Sequence, residues 1–172
     1  MIEKVINRRN MQRACIQVVS NKGSAGVDGM TVKELSAYLR ENRDKIATAL
    51  CNGKYLPQSA NWRIEIPKSN GKTRLLGVPT VTDRWLQQAV SQAIGIGFEL
   101  EFKEHSYGFR PNRNALQAVQ QAQKNIHEGY VHIVDIDLKN FFDEVEHCKI
   151  LQLLYRKVKC PITLRLIRKW LR

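Results

Sequence analysis

Apolar side chains recur every three or four positions along much of this chain, a spacing typical of amphipathic helices. In residues 2–20, arginines lie between the apolar positions, which predicts a single basic helix. Thr31 and Glu34 have the spacing of a capping box, so the next helix is predicted to begin there. Asn52 and Gly53 are typical of a helix end and are predicted to terminate it.

The same spacing predicts further helices in the second half of the chain. One has Asp83 as its capping residue and ends near Gly95 or Gly97. Another runs from Asn114 to Gly129 and turns these apolar residues inward: Leu116, Val119, Ala122 and Ile126. The last two are predicted at residues 145–158 and 163–171, separated by Pro161.

Strict alternation replaces the helical spacing in residues 61–78. Ile64 and Ile66 alternate with polar residues, a second short strand is predicted at residues 73–78, and turn-forming residues lie between them. The pattern predicts an antiparallel hairpin with three cations near its tip: Lys68, Lys72 and Arg74. Clustered cations repel one another unless an anion binds, although ordinary solvated charge is the alternative.

Residues 131–143, VHIVDIDLKNFFD, combine apolar alternation with acidic residues. A strand is predicted at residues 131–137, with Asp135 and Asp137 on one face. Paired carboxylates beside apolar neighbours favour a divalent-metal site. The alternative is that these carboxylates cap the following turn or face solvent.

Two loops carry residues that suit a nucleic acid. Residues 21–30 are rich in glycine and contain Lys22, which allows close approach to another chain, although a plain connector has the same composition. Residues 98–114 place Tyr107 and Phe109 beside Arg110 and Arg113. Aromatic and guanidinium groups together suit a nucleic-acid backbone, and a buried aromatic anchor is the alternative.

Charge strengthens the nucleic-acid interpretation. The 172 residues include 28 Lys plus Arg against 16 Asp plus Glu, a formal net charge of +12. An excess spread along the chain favours a polyanion as partner, nucleic acid before a membrane surface. No apolar run approaches the roughly 20 residues of a membrane span, so we expect a cytoplasmic protein. The four cysteines lack a CxxC pair and are expected to be reduced thiols without zinc.

Four ordered blocks resemble the N-terminal part of group II intron-encoded reverse transcriptases, also called maturases. They are NKGSAGVDG, RIEIPKSNGKTRLLGVPTVTDRWLQQAV, FELEFKEHSYGFRPNRNALQAV and VDIDLKNFFDEVEH. The resemblance implies an RNA-directed DNA polymerase of mixed α+β fold. It implies helix-rich fingers with an antiparallel hairpin in residues 1–80. Residues 81–172 would hold the remaining fingers helices and an incomplete palm, whose first catalytic strand is 131–137.

The resemblance also implies roles for residues around a nucleotide. Lys68 and Arg74 would grip the triphosphate of an incoming dNTP. Asp137 would be the catalytic carboxylate and would bind Mg2+ together with the Leu138 carbonyl. Phe142 would block a ribose 2′-hydroxyl. Two metal ions would then support phosphoryl transfer, with Asp137 projecting into a cleft opposite the hairpin tip.

Further residues are implied to contact RNA template, DNA primer or intron RNA. Lys22, Gly23 and Gly26 lie in a loop similar to the family's lid over the template. Arg63 of the hairpin and the pair Arg110 and Arg113 are similar to residues along the nucleic acid. A non-catalytic RNA-binding or splicing-assisting module is the alternative function.

One departure from the family is large. The Tyr-Ala-Asp-Asp motif that supplies its other metal-binding carboxylates is absent, and no two aspartates of this chain are adjacent. We therefore expect the fingers and the opening of the palm, with no polymerase activity of the chain alone. The strand carrying Asp137 would lack its neighbours, which predicts a homodimer that covers the open edge.

Overall fold

The computed structural model describes residues 1–58, 63–67 and 73–171, with backbone only at strand residues 63, 64, 66, 74 and 75. The chain divides into two compact units. The first comprises Met1–Gly95 and His147–Arg172, and the second comprises Ile96–Glu146. The lobes predicted at residues 1–80 and 81–172 refer to a polymerase architecture, and that division stays a prediction.

Helices make up most of the described structure. In chain order the elements are α1 (Ile2–Ile6), α2 (Arg8–Ser20), α3 (Leu35–Cys51), β1 (Arg63–Pro67), β2 (Thr73–Gly77), α4 (Val81–Glu99), α5 (Ala115–His127), α6 (Phe141–Glu144), α7 (His147–Val158) and α8 (Pro161–Trp170). This helix-rich arrangement is compatible with part of a polymerase fingers region, and the α+β classification of the whole stays a prediction.

The core of the first unit forms where α2, α3 and α4 pack around Trp85. This side chain is fully buried, and its indole Nε1 donates a hydrogen bond to the Met11 carbonyl oxygen at 2.9 Å. Leu35 and Leu50 of α3 and Leu166 of α8 belong to the same cluster. With Val5 of α1, apolar residues of five helices therefore share one core, as their spacing requires.

The single helix predicted at residues 2–20 is wrong, because the helix breaks at Asn7. The backbone there is extended, with φ −52° and ψ 132°, and the Asn7 side chain accepts a hydrogen bond from the Arg9 amide at 3.0 Å. An asparagine side chain competes well for free amides at a helix start. Asn7 thus ends α1 and caps α2.

The capping box predicted at Thr31 and Glu34 is half formed. The Glu34 carboxylate accepts hydrogen bonds from the amide and the hydroxyl of Thr31, both at 2.7 Å, and these bonds lower the pKa of Glu34. The Thr31 hydroxyl therefore donates to the carboxylate and caps no amide, and α3 begins only at Leu35. Gly53, with φ +66°, confirms the predicted end of α3.

Thr80, and not Asp83, caps α4. The Thr80 hydroxyl oxygen accepts a hydrogen bond from the Asp83 amide at 3.2 Å, while the Asp83 side chain is buried. The helix also passes through Gly95 and Gly97 and ends at Glu99. A glycine inside a helix costs about 1 kcal/mol relative to alanine, which weakens the helix without ending it.

Strands β1 and β2 pair antiparallel as a two-stranded sheet, with Ile64 opposite Leu76 and Pro67 opposite Thr73. The predicted start and turn of the hairpin at residues 61–78 fall in segments 59–62 and 68–72, which lie outside the described residues. The backbones of β1 and β2 are therefore described, whereas the predicted cationic tip lies outside the described residues.

Residues 131–138 have no regular secondary structure, so the strand predicted at residues 131–137 is wrong. A strand needs a neighbour to bond its amides and carbonyls, and the two strands found among the described residues pair with each other. The segment is open to solvent, with Ile136 82% exposed. Its alternating pattern is present without the sheet that would give it two faces.

Helix α5 confirms the predicted start at Asn114 and the predicted stop at Gly129. Asn114 and Gln117 form a complete capping box, and Gly129 has φ +99°. The inward orientation predicted for Leu116, Val119, Ala122 and Ile126 is wrong, because all four are exposed. Indeed, no residue of Ile96–Glu146 is buried, so this unit has no core against which α5 packs.

The last two helices fall close to their predicted places. Helix α7 ends before Lys159, whose backbone is left-handed with φ +43°. Pro161 is the first residue of α8, so it starts the helix predicted at residue 163 instead of only separating two helices. Proline suits that position because its missing amide has no partner in a first helical turn.

Within the described ranges, none of the helices is both long enough and apolar enough to span a lipid bilayer.

Candidate functional site

The base of the hairpin is held by the carboxylate of Asp83, which is 1% exposed. Its Oδ2 accepts hydrogen bonds from the Gln58 amide at 2.9 Å and the Thr80 hydroxyl at 3.1 Å. Its Oδ1 accepts from the Tyr55 hydroxyl at 2.9 Å and from Nε1 of Trp170 at 3.1 Å. Four donors compensate the burial of this carboxylate.

Sequence reasoning missed this cluster. It assigned Asp83 to a helix cap, and it gave Tyr55, Gln58 and Trp170 no role. The T-x-x-D spacing of Thr80 and Asp83 is a local signal, but the other donors are distant in sequence. Burial and the Asp83 carboxylate raise the pKa of Tyr55, because a phenolate there would be desolvated and would face a second negative charge.

Of the two residues predicted to grip a triphosphate, only Arg74 has a described position, near the Pro67–Thr73 end of this strand pair. Arg74 is opposite Ile66 in the ladder, one pair from the last pair, Pro67 with Thr73. Only backbone is described for Arg74 and for Arg63, and Lys68 lies outside the described residues. Their assignment to nucleotide or nucleic acid stays a prediction.

The predicted metal site lies in the second unit. Asp135, Asp137 and Leu138 are exposed, and Asp137 makes no hydrogen bond or ion pair with the residues that the structure describes. No group of three or more His, Cys, Asp or Glu side chains comes together as a metal site in this part of the chain. Carboxylate and carbonyl oxygens are the hard donors that Mg2+ prefers, and the assignment of Asp137 and Leu138 to a metal site stays a prediction.

The predicted ribose-blocking residue, Phe142, is in the same unit. Its ring meets Phe141 edge to face, with centroids 5.4 Å apart, and it is 78% exposed. The turn before these rings has a left-handed residue, Asn140, with φ +51°. The aromatic pair is therefore available for contact from solvent.

The glycine loop at residues 21–30 packs against the start of α4. A Cβ added to Gly26 would lie 2.6 Å from Cα and 2.9 Å from the amide nitrogen of Thr80. A Cβ on Gly23 would collide with the Arg84 guanidinium, which donates a hydrogen bond to the Ser24 carbonyl oxygen. Burial lowers the pKa of Arg84. Glycine is thus needed at position 26 for packing against backbone within the unit, whereas the end of the flexible Arg84 side chain can move away from position 23.

Replacing Gly26 with alanine is expected to lower the free energy of unfolding by about 1–3 kcal/mol, because the new methyl group meets backbone that cannot move aside cheaply. Urea denaturation followed by circular dichroism measures the change. Gly95→Ala is the matched control: nothing lies within 4 Å of a Cβ at this position in α4, so stability should rise by about 0.5–1 kcal/mol. Equal stability of the two variants would contradict this account.

Arg110 and Arg113 have different surroundings in the second unit. The Arg110 side chain is 8% exposed and forms an ion pair with Glu99 at 2.7 Å. Its Nη1 also donates to the carbonyl oxygens of Lys103 and Ser106, at 2.8 and 2.9 Å. Arg113 lies over the ring of Tyr107, 5.6 Å from its centroid. Arg110 therefore organises the loop, and a template contact by it would compete with these bonds.

Comparison with known proteins defines the class. The family model described as reverse transcriptase (RNA-dependent DNA polymerase) matches residues 66–172, and the chain belongs to this family. The relatives indicate which type of reverse transcriptase the chain resembles. The chain is 32% identical over 153 residues to the group II intron-encoded protein LtrA of Lactococcus lactis, covering 89% of this chain and 25% of LtrA. The resemblance to group II intron-encoded reverse transcriptases is thereby confirmed.

Two other relatives agree. Protein YkfC of Escherichia coli is 34% identical over 146 residues, covering 81% of this chain and 38% of YkfC. The putative COX1/OXI3 intron 2 protein of Saccharomyces cerevisiae is 29% identical over 159 residues, covering 91% of this chain and 18% of that protein. The chain thus spans less than two fifths of the length of these relatives.

Proposed function

We propose that this chain carries the nucleotide-gripping hairpin and one catalytic carboxylate of a group II intron-encoded reverse transcriptase. The observation that carries the proposal is the family match, which runs from Ile66 in the hairpin through Asp137. The relative named as group II intron-encoded supports the particular type. The reaction is template-directed addition of a dNTP to a primer by phosphoryl transfer.

The proposed roles follow from the charge of each group. Lys68 and Arg74 offset negative charge on the triphosphate, which is greatest on the leaving pyrophosphate. The carboxylate of Asp137 and the carbonyl oxygen of Leu138 would hold Mg2+, which would supply positive charge to offset the charge that develops during phosphoryl transfer. Phe142 lies against the sugar and discriminates deoxyribose from ribose.

The residues proposed to contact nucleic acid are described for each unit by itself. In the first unit they are Lys22, Gly23, Gly26 and Arg63 of the hairpin, and in the second unit they are Arg110 and Arg113. The net charge of +12 supports binding to RNA phosphates by either the polymerase or a splicing-assisting module. Charge alone therefore does not separate the two functions.

Separate measurements of nucleotide and RNA affinity distinguish them. Lys68→Ala is expected to weaken binding of a fluorescent dNTP in the presence of Mg2+ at least tenfold, while affinity for a single-stranded RNA changes less than twofold. Lys45→Ala, which removes an exposed lysine of α3, is the matched control and should leave nucleotide affinity unchanged. Equal losses for nucleotide and RNA would favour the RNA-binding module.

The chain alone is expected not to extend a primer. None of its aspartates (Asp28, Asp44, Asp83, Asp135, Asp137, Asp143) is adjacent to another, so it lacks the paired carboxylates that complete a two-metal site. The assay uses an RNA template, a DNA primer, dNTPs and Mg2+, with a commercial reverse transcriptase as positive control. Template-dependent product made by the pure chain would show this expectation to be wrong.

We also propose that the chain self-associates as a homodimer. An open strand edge does not support this dimer, because residues 131–138 form no strand. The proposal is now supported by exposed apolar side chains in α5 and in residues 131–142, including Val134 and Leu116. Sedimentation at micromolar concentration should give twice the mass of one chain, and a single monomeric species would contradict it.

A further inference from the structure

Both ends of the segment that carries β1 and β2 meet at one oxygen atom. Gln58 is the last described residue before the hairpin, and Thr80 immediately precedes α4. Their amide and hydroxyl groups both bond Oδ2 of Asp83, at 2.9 and 3.1 Å. This carboxylate therefore closes the base of the hairpin from within α4.

The other carboxylate oxygen joins the same point to α8. Trp170 donates from Nε1 to Oδ1 of Asp83 at 3.1 Å, next to the Tyr55 hydroxyl at 2.9 Å. Lys169 adds hydrogen bonds from Nζ to the carbonyl oxygens of Gly53 and Tyr55, at 3.2 and 2.6 Å. Helix α8 thus holds the chain that leads into the hairpin as well as the carboxylate at its base.

We propose that Asp83 is a positioning residue for the hairpin, and that the docking of α8 through Trp170 fixes how firmly the hairpin is held. A buried carboxylate with four donors has one favoured geometry, because shifting either strand end breaks a hydrogen bond in an interior site. The expected consequence for nucleotide binding rests on the proposed function. The expected effect on how firmly the hairpin is held rests on the described contacts alone.

Two substitutions test separate parts of the arrangement. Asp83→Asn keeps the shape but replaces one acceptor oxygen with an NH2 group, which then faces donors instead of accepting from them. Trp170→Phe removes one donor to Oδ1 and leaves the bonds of Gln58 and Thr80 in place. Asp44→Asn is the matched control, since Asp44 is exposed and pairs only with its neighbour Arg43 among the described residues.

Hydrogen exchange measured by mass spectrometry on the whole chain is the primary readout. In Asp83→Asn and Trp170→Phe, amides of β1 and β2 should exchange at least tenfold faster, while those of α2 and α3 keep wild-type rates. Asp44→Asn should match wild type throughout. Equal acceleration in the strands and in α2 and α3 would mean that Asp83 only stabilises the unit, and it would overturn the proposal. Unchanged strand exchange would overturn it as well.

Nucleotide affinity, measured with the same fluorescent dNTP and Mg2+, separates this inference from the proposed function. Both variants should weaken it at least threefold. If Lys68→Ala has no effect on affinity, the proposed function fails, and the exchange result still decides the inference. If Lys68→Ala weakens binding but neither Asp83→Asn nor Trp170→Phe does, the positioning role is wrong. Should Asp83→Asn not fold, Trp170→Phe alone decides.

Discussion

Replacing Trp85 with alanine is expected to lower the free energy of unfolding by about 3–5 kcal/mol, enough to unfold much of a marginally stable domain. The indole is fully buried among α2, α3 and α4, so its removal leaves a cavity that three packed helices cannot close. The hydrogen bond to the Met11 carbonyl is lost as well. Urea denaturation of the purified chain measures the change.

Two further variants make this result specific. Trp85→Phe retains an aromatic ring and should cost less than Trp85→Ala. Leu100→Ala, at a position that is 88% exposed, should change stability by less than about 0.5 kcal/mol. A loss below 1 kcal/mol for Trp85→Ala would contradict the position assigned to this core.

RNA affinity is expected to fall steeply with salt. If the chain neutralises six or more phosphates of a single-stranded RNA, the affinity should drop about 100-fold or more between 50 and 200 mM salt, because bound counterions are released. Fluorescence anisotropy with a labelled RNA at several salt concentrations measures the slope. The net charge of +12 makes contacts on this scale feasible.

A variant of α2 tests whether three of its arginines contribute to RNA binding. Arg8, Arg9 and Arg13 are exposed residues of α2, and replacing all three with glutamine should make the slope shallower, by up to about 0.7 for each phosphate contact removed. An RNA affinity of the wild-type chain that does not change with salt would contradict binding of its cations to nucleic-acid phosphates.

The sequence predicted features whose cause is local. Asn114 caps α5 with Gln117, and Gly53 and Gly129 terminate helices with a left-handed backbone, because each outcome depends on residues within one turn. The family was predicted in the same way, from ordered blocks of residues, and the family match confirms it.

Features that depend on distant residues were missed. The donors to Asp83 include Tyr55, shortly after α3, and Trp170 in α8. Because they are distant in sequence, no pattern within one segment predicts the whole cluster. The ion pair of Arg110 with Glu99, on the preceding helix, was also not predicted, while the assignment of Arg110 to a template contact stays a prediction. Residues 131–137 have suitable alternation, yet a strand exists only with a neighbour, and none of the described residues pairs with this segment.

The glycine loop combines both situations. Its glycines were noticed because they permit close approach, and the structure identifies the Thr80 backbone as what Gly26 approaches. The glycine-rich composition predicted that the loop could approach other backbone closely, but it did not predict that this backbone is Thr80. A role of the same loop over a template is compatible with this packing and remains part of the proposed function.

The proposed function requires Asp137 to supply the catalytic metal ligand and Lys68 to bind the triphosphate. Single-nucleotide incorporation by a full-length member of the reverse transcriptase family, with the two aligned positions replaced in turn, tests it most directly. We predict that the Asp→Asn variant loses at least about 100-fold in kcat, since charge stabilisation in the transition state is lost. The Lys→Ala variant should mainly raise the KM for dNTP. Near-normal kcat in the Asp→Asn variant would contradict the account.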